Sequence, residues 1–277
     1  MSVSFHLCQP GRGASCGACC GLYNFRDHSR ATLTERLSTQ TDTFRPLPQE
    51  PEAWRSAARG LLEARHATTP PLFPAVRVCP LLGFLDAERT RVGCLGHPKV
   101  TGGADLRDCG VYRADICETF TCPSFTWLSD AQARLVQAAC ADWYLYGLVI
   151  TDVELVRGCL RLLEWELAGP VDPDALIANG DALEAVRQLF SLKETAPGRG
   201  SHAAVFGRFT PDTEGEPVSR NLDYAALGAR AAPEDEVVLC LGYAPRTLEE
   251  LTAARELVRT HVRAVALALT VGPIPSP

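Results

Sequence analysis

Nothing in this sequence forms a basic block, and no stretch of it is long and apolar enough to span a bilayer. Its 27 lysines and arginines are outnumbered by 33 aspartates and glutamates, for a net charge of −6. Nucleic acid is therefore not an expected partner, because phosphate backbones are met by clustered Lys and Arg. No apolar run approaches the roughly 20 residues that cross a hydrocarbon core, so no membrane association is expected. The N-terminal residues M-S-V-S-F-H-L-C lack both a basic segment and an apolar segment of the kind that makes a secretory signal. A cytoplasmic location is the expectation. Catalytic signatures are scarce as well. There is no radical-enzyme C-x3-C-x2-C, no glycine-rich nucleotide loop and no H-E-x-x-H. No internal repeat or low-complexity segment is present.

What the sequence does hold is cysteine, 12 in 277 residues. In a reducing compartment such a count points to metal or redox use rather than to disulfides, which remain the plainer alternative. Hydrophobic residues at 46% and charged residues at 22% are ordinary for a globular chain that buries a sizeable core without staples. Thiol–disulfide exchange through Cys16 and Cys19 would need a thioredoxin-like βαβ context, which the pattern lacks.

Three cysteines read as core. Cys140 and Cys159 fall on the apolar faces of expected helices, and Cys240 lies in the apolar run Val237–Leu241; a free cysteine is among the most buried residue types. The other nine sit among glycine and polar residues at short spacings: Cys8, the group Cys16/Cys19/Cys20, the pair Cys79/Cys94, and the group Cys109/Cys117/Cys122. Thiolates are soft ligands suited to zinc, iron–sulfur clusters and copper(I). Adjacent Cys19 and Cys20 can share a centre only if the chain turns between them. His97 follows Cys94 at a C-x-x-H spacing and is a further candidate ligand. Asp105, Asp108 and Glu118 within the same stretch could act as base or support a ligand, or be solvated loop charges.

Cys16-Gly17-x-Cys19-Cys20, then Cys79-Pro80-Leu81, then Cys109 before Tyr112, then Cys117-x-x-Phe120-x-Cys122 resembles the YkgJ-type cysteine-cluster proteins, described as carrying a zinc- or iron-chelating domain. The resemblance covers roughly the first 125 residues. It implies metal binding by these cysteines, with an iron–sulfur cluster as the preferred cofactor and zinc or iron ions as the other choice. The sequence departs from the pattern where Ala114 stands in place of an expected proline, where Cys8 lies well ahead of Cys16, and where 93–108 resembles an insertion. The resulting ligand set is Cys16, Cys19, Cys20, Cys79, Cys94, Cys109, Cys117 and Cys122. The expected function is cluster or metal binding, for electron transfer or metal handling; the alternatives are a cluster-dependent enzyme and a zinc-stabilised protein that binds a protein partner.

The expected fold is an α-rich α+β architecture. An irregular, metal-bound cysteine domain (1–128) packs on helices, and a helical/α+β domain (129–277) ends in a small sheet and a helix. Expected helices cover 31–40, Pro51 to about Arg65, Ser129 to about Leu148 with a capping box at Ser129/Gln132, 152–163, a short one from Pro173, 181–189 and 248–267. Expected strands lie near 203–209 and at 237–241.

Overall fold

The computed structural model describes residues 5–68, 70–197 and 207–270. The first cysteines lie on an irregular segment with one 3-10 turn, Ala18–Cys20. Helix α1 (Arg30–Phe44) starts where the Ser29 hydroxyl accepts the Thr32 amide, and it buries Leu33, Leu37, Thr41 and Phe44 along one face. It runs past the expected end at Gln40, because Thr41 satisfies its hydroxyl on the Leu37 carbonyl and Phe44 reaches the core. Helix α2 (Pro51–Thr68) opens with proline in its first turn, as expected.

The second cysteine stretch was expected to be irregular, yet it holds a hairpin. Strands β1 (Leu82–Phe84) and β2 (Val92–Cys94) pair antiparallel, with Leu82 opposite Cys94 and Phe84 opposite Val92. Three residues per strand are too few to show alternation in sequence. Short elements follow: α3 (Pro98–Thr101), a 3-10 turn at Arg107–Cys109, α4 (Ala114–Thr119) and α5 (Pro123–Trp127).

The expected capping box is present at α6 (Asp130–Ala139): the Ser129 hydroxyl accepts the Gln132 amide and the Gln132 side chain accepts the Ser129 amide. The helix does not run on to Leu148. Cys140 is extended, and the Asp142 carboxylate restarts the chain as α7 (Trp143–Ile150) by accepting the Tyr144 and Leu145 amides. All eight α7 residues are buried, as a helix that is apolar all round must be. Asp152 caps α8 (Val153–Glu166), Asp172 caps α9 (Pro173–Ala178) and Asn179 caps α10 (Gly180–Thr195).

A second antiparallel hairpin follows, β3 (Phe209–Pro211) with β4 (Pro217–Ser219). Of the strand expected at 203–209, residues 203–206 lie outside the described residues. The expected strand at 237–241 is instead helix α11 (Asp235–Cys240). Five consecutive apolar residues fit a buried strand or a buried helix equally, and Asp235 and Glu236 in the first turn favour the helix through its dipole. Helix α12 (Leu248–Thr270) ends the described chain, with the Thr247 hydroxyl accepting the Glu250 amide. The described residues are thus helix-rich, with two small two-stranded sheets among them.

Three apolar cores form among the described residues. The largest gathers α6 to α12 with Leu7, Ala14 and Cys16 of the N-terminal segment. The second joins Tyr23, Leu33, Leu37, Leu82 and Phe84 to Trp143, Tyr144 and Leu148 of α7, so residues on both sides of position 128 share it. The third packs Phe44, Trp54 and Ala58 against Cys79, Leu81, Leu95, Leu106 and Cys109. Among the described residues no helix is long and apolar enough to cross a membrane.

Candidate metal centre

The two cysteine stretches meet along a backbone contact. The Cys79 amide donates to the Cys20 carbonyl at 2.9 Å. Gly21 makes this approach possible: its φ is +81°, and a Cβ there would lie 2.6 Å from the Arg77 carbonyl oxygen. Cys94 joins from the hairpin, where the Leu95 amide donates to the Leu81 carbonyl at 2.8 Å, two residues from Cys79. Cys20 and Cys94 are half-buried against the third core, and Cys79 is buried within it.

Electrostatics sort eight of the thiols into two sets of four, linked where the Cys8 charge acts on Cys20. Burial pushes the Cys20 thiol well up, and the neighbouring charges of Cys79, Cys94 and Cys117, then of Cys8, push it further. Cys94 is pushed up to about 12 by burial and then by Cys79, with the Gly96 amide pulling the other way. Cys117 is raised by burial and by Cys79, and lowered by the Arg107 guanidinium. Cys20, Cys79, Cys94 and Cys117 therefore lie within electrostatic reach of one another.

The second set is Cys8, Cys16, Cys19 and Cys122. The Cys16 amide donates to the Cys8 carbonyl at 3.0 Å, and the Tyr146 hydroxyl anchors this segment on the Leu7 carbonyl at 2.8 Å. Burial and then the Cys122 charge push Cys8 up to about 11. Cys16 is raised by burial, then by Cys8 and Cys122, against a 3.4 Å hydrogen bond from the Ala18 amide to its sulfur. The Cys19 thiol donates to Cys122, which raises Cys19 and lowers Cys122 to about 6. The Ser124 hydroxyl, 3.5 Å from the Cys122 sulfur, and the Ser124 and Phe125 amides at the start of α5 also favour the Cys122 thiolate.

No three His, Cys, Asp or Glu side chains among the described residues are arranged to hold a metal ion as they stand. The thiols are thus neighbours without forming a finished coordination sphere.

The remaining candidates stand apart. The Cys109 thiol donates to the Pro51 carbonyl at 3.5 Å, and its electrostatic neighbours are Arg55, Asp108 and Glu52 rather than other cysteines. His97 caps α3: its Nδ1 accepts the Lys99 amide at 3.1 Å, and the groups that shift it are Arg107, Lys99, Asp105 and His6. Asp105 is held low, at about 2, chiefly by its hydrogen bonds from Arg107. Glu118 lies 3.7 Å from Arg107, and Asp108 accepts the Ala114 amide. Cys140, Cys159 and Cys240 are buried in the largest core, as expected.

One residue of the site, Arg107, escapes sequence reasoning, and one, Cys8, stands outside the ligand set read from the sequence. Cys8, a candidate thiol that this set leaves out, enters the second thiol set. Arg107, 8% exposed, brings its charge to Cys94 and Cys117; its position two residues before a cysteine is the only signal it leaves. No protein-family model matches the chain, and no curated protein or solved structure matches it either.

Proposed function

We propose that the chain is a metalloprotein with two four-thiolate centres, Cys8/Cys16/Cys19/Cys122 and Cys20/Cys79/Cys94/Cys117, each holding an iron–sulfur cluster. The observation that carries the reading is the grouping of eight thiols into two sets of four that touch electrostatically through Cys8 and Cys20, because four cysteines are the ligand complement of a cubane cluster and equally of a closed zinc site. Buried thiols that would repel one another as anions are stabilised together by a bound cation. Arg107 adds positive charge beside Cys94 and Cys117. The irregular, glycine-punctuated spacing suits a cluster more than it suits the regular knuckles of zinc modules.

When bound, an iron–sulfur cluster supplies one-electron chemistry. The chain's own contribution is to hold the thiolates, exclude water and set the local charge. Cys19 and Cys117 are exposed, so each centre reaches the surface, where electrons can pass to a partner. Electron transfer is the role this arrangement supports best.

The test is an absorption spectrum of anaerobically purified protein, with iron, sulfide and zinc measured on the same sample. Two four-iron clusters give a brown protein with about eight iron and about eight sulfide per chain. About two zinc per chain in a colourless protein would replace the cluster with structural zinc sites. Neither metal, in protein kept anaerobic throughout, would remove the proposal.

A further inference from the structure

A cavity of about 580 Å³ opens beside α5. Pro123, the residue after Cys122, forms part of its wall, as do the first turn of α8, Lys193 of α10, and β3. The volume lies within the range of small-molecule sites. Its lining has two characters. Leu148, Val153 and Leu241 give it an apolar floor, and Trp127 and Phe209 stand at its edge, 62% and 39% exposed. A tryptophan so exposed has left most of its apolar surface uncovered.

The charges are mostly matched inside the protein. Lys193 pairs with Asp152 at 2.5 Å, and both side chains are buried. Arg208 pairs with Glu154 at 3.3 Å. Among the described lining residues, Arg157 is left as one uncompensated positive charge. Arg208 adds an unused donor, since its buried Nε has no hydrogen-bond partner among the described residues. One surplus cation, a spare guanidinium donor and two exposed aromatic faces describe a complementary ligand with one negative charge and a flat apolar body.

We infer that this cavity is a binding site for a small organic monoanion with a planar apolar body, its charge held by Arg157 and Arg208 and its ring against Trp127. Arginine suits this role because its planar fork both pairs with oxyanions and stacks on aromatic rings. The cavity's walls do not include the thiols, so the inference stands whichever metal the cysteines hold.

The experiment uses two probes that share a scaffold. 1-Anilinonaphthalene-8-sulfonate carries the negative charge, and N-phenyl-1-naphthylamine lacks it. Both are titrated by fluorescence into the full chain as purified, with the melting temperature of every variant measured alongside. The expected result is saturable one-site binding of the sulfonate, at least about tenfold tighter than the neutral probe, as a charge-assisted contact provides. Arg157→Gln should weaken the sulfonate about tenfold without changing the neutral probe. Arg187→Gln, on α10 and outside the cavity, should change neither. Equal affinity for the two probes, or an unchanged sulfonate affinity in folded Arg157→Gln, would overturn the inference.

Discussion

The Cys79 amide meets the Cys20 carbonyl at 2.9 Å, and Gly21 is the residue that lets the two cysteine stretches come this close. Its positive φ and its contact with the Arg77 carbonyl exclude any side chain. Gly21→Ala should therefore lower stability by about 1–3 kcal/mol, read from urea denaturation. It should also lower metal content in the Cys20 set more than in the Cys8 set. A variant as stable as the parent would show that this contact does not tie the stretches together.

The division of the thiols predicts a pattern of metal loss. Cys8→Ser should remove about half of the metal and leave one four-thiol centre intact, and Cys94→Ser should remove the other half. Cys109→Ala should keep all of it, because the Cys109 thiol faces the Pro51 carbonyl rather than other cysteines. Cys140→Ala should likewise keep it. Metal analysis of the four variants separates these outcomes, and loss of metal in Cys109→Ala would restore the ligand set read from sequence alone.

That comparison shows what the sequence could reveal. The capping box at Ser129, the proline start of α2 and the burial of Cys140, Cys159 and Cys240 are local or periodic features, and all are present. Membership of a thiol set is not local. Cys117 and Cys122 are close in sequence, yet α4 ends at Thr119, Phe120 and Cys122 are extended, and the two thiols part into different sets. Cys19 and Cys20 also part, although a 3-10 turn holds both. Cys8 joins its set through a backbone bond from Cys16 that spacing does not reveal. The strand expected at Val237–Leu241 fails for a related reason: burial on all sides erases the period that tells helix from strand.

Cys122 should be the reactive thiol of the metal-free chain. The Cys19 thiol, the Ser124 hydroxyl and two amides hold its pKa at about 6, below the ordinary thiol value. Because the folded value is depressed, the stabilisation is present in full above the unfolded value near 8.5 and is lost as pH falls through about 6. Alkylation by iodoacetamide, followed residue by residue with mass spectrometry, should show a midpoint near pH 6 for Cys122. Cys8, pushed up to about 11, should react far more slowly at neutral pH. Cys19→Ala removes the first donor and should move the Cys122 midpoint upward. An unmoved midpoint would mean that the amides of α5 carry the effect alone.

Gly147 marks the tightest packing against α7. A Cβ at this position would collide with the Tyr23 hydroxyl, which bonds the Trp143 and Tyr144 carbonyls at 3.2 and 3.1 Å. Gly147→Ala should cost about 2–3 kcal/mol by overpacking a rigid site. In a Tyr23→Phe background the same change should cost about 1 kcal/mol less, since the colliding oxygen is gone. Denaturation of the four members of this cycle supplies the coupling. Zero coupling would place the strain elsewhere in the second core.

The ion pair of Lys193 and Asp152 makes a sharper demand, because both side chains are nearly excluded from solvent, at 5% and 10% exposure. Lys193 also donates to the Cys240 carbonyl, and Asp152 accepts the Leu155 amide at 3.0 Å as the cap of α8. Lys193→Met removes the cation and strands a buried carboxylate, which should cost about 3 kcal/mol or more. Asp152→Asn keeps a capping oxygen but strands the ammonium, so its cost should be similar. The double variant leaves neither charge unpaired and should be more stable than either single one, despite having lost more interactions. If the double variant is instead the least stable of the three, the pair contributes net attraction that outweighs the desolvation of both groups.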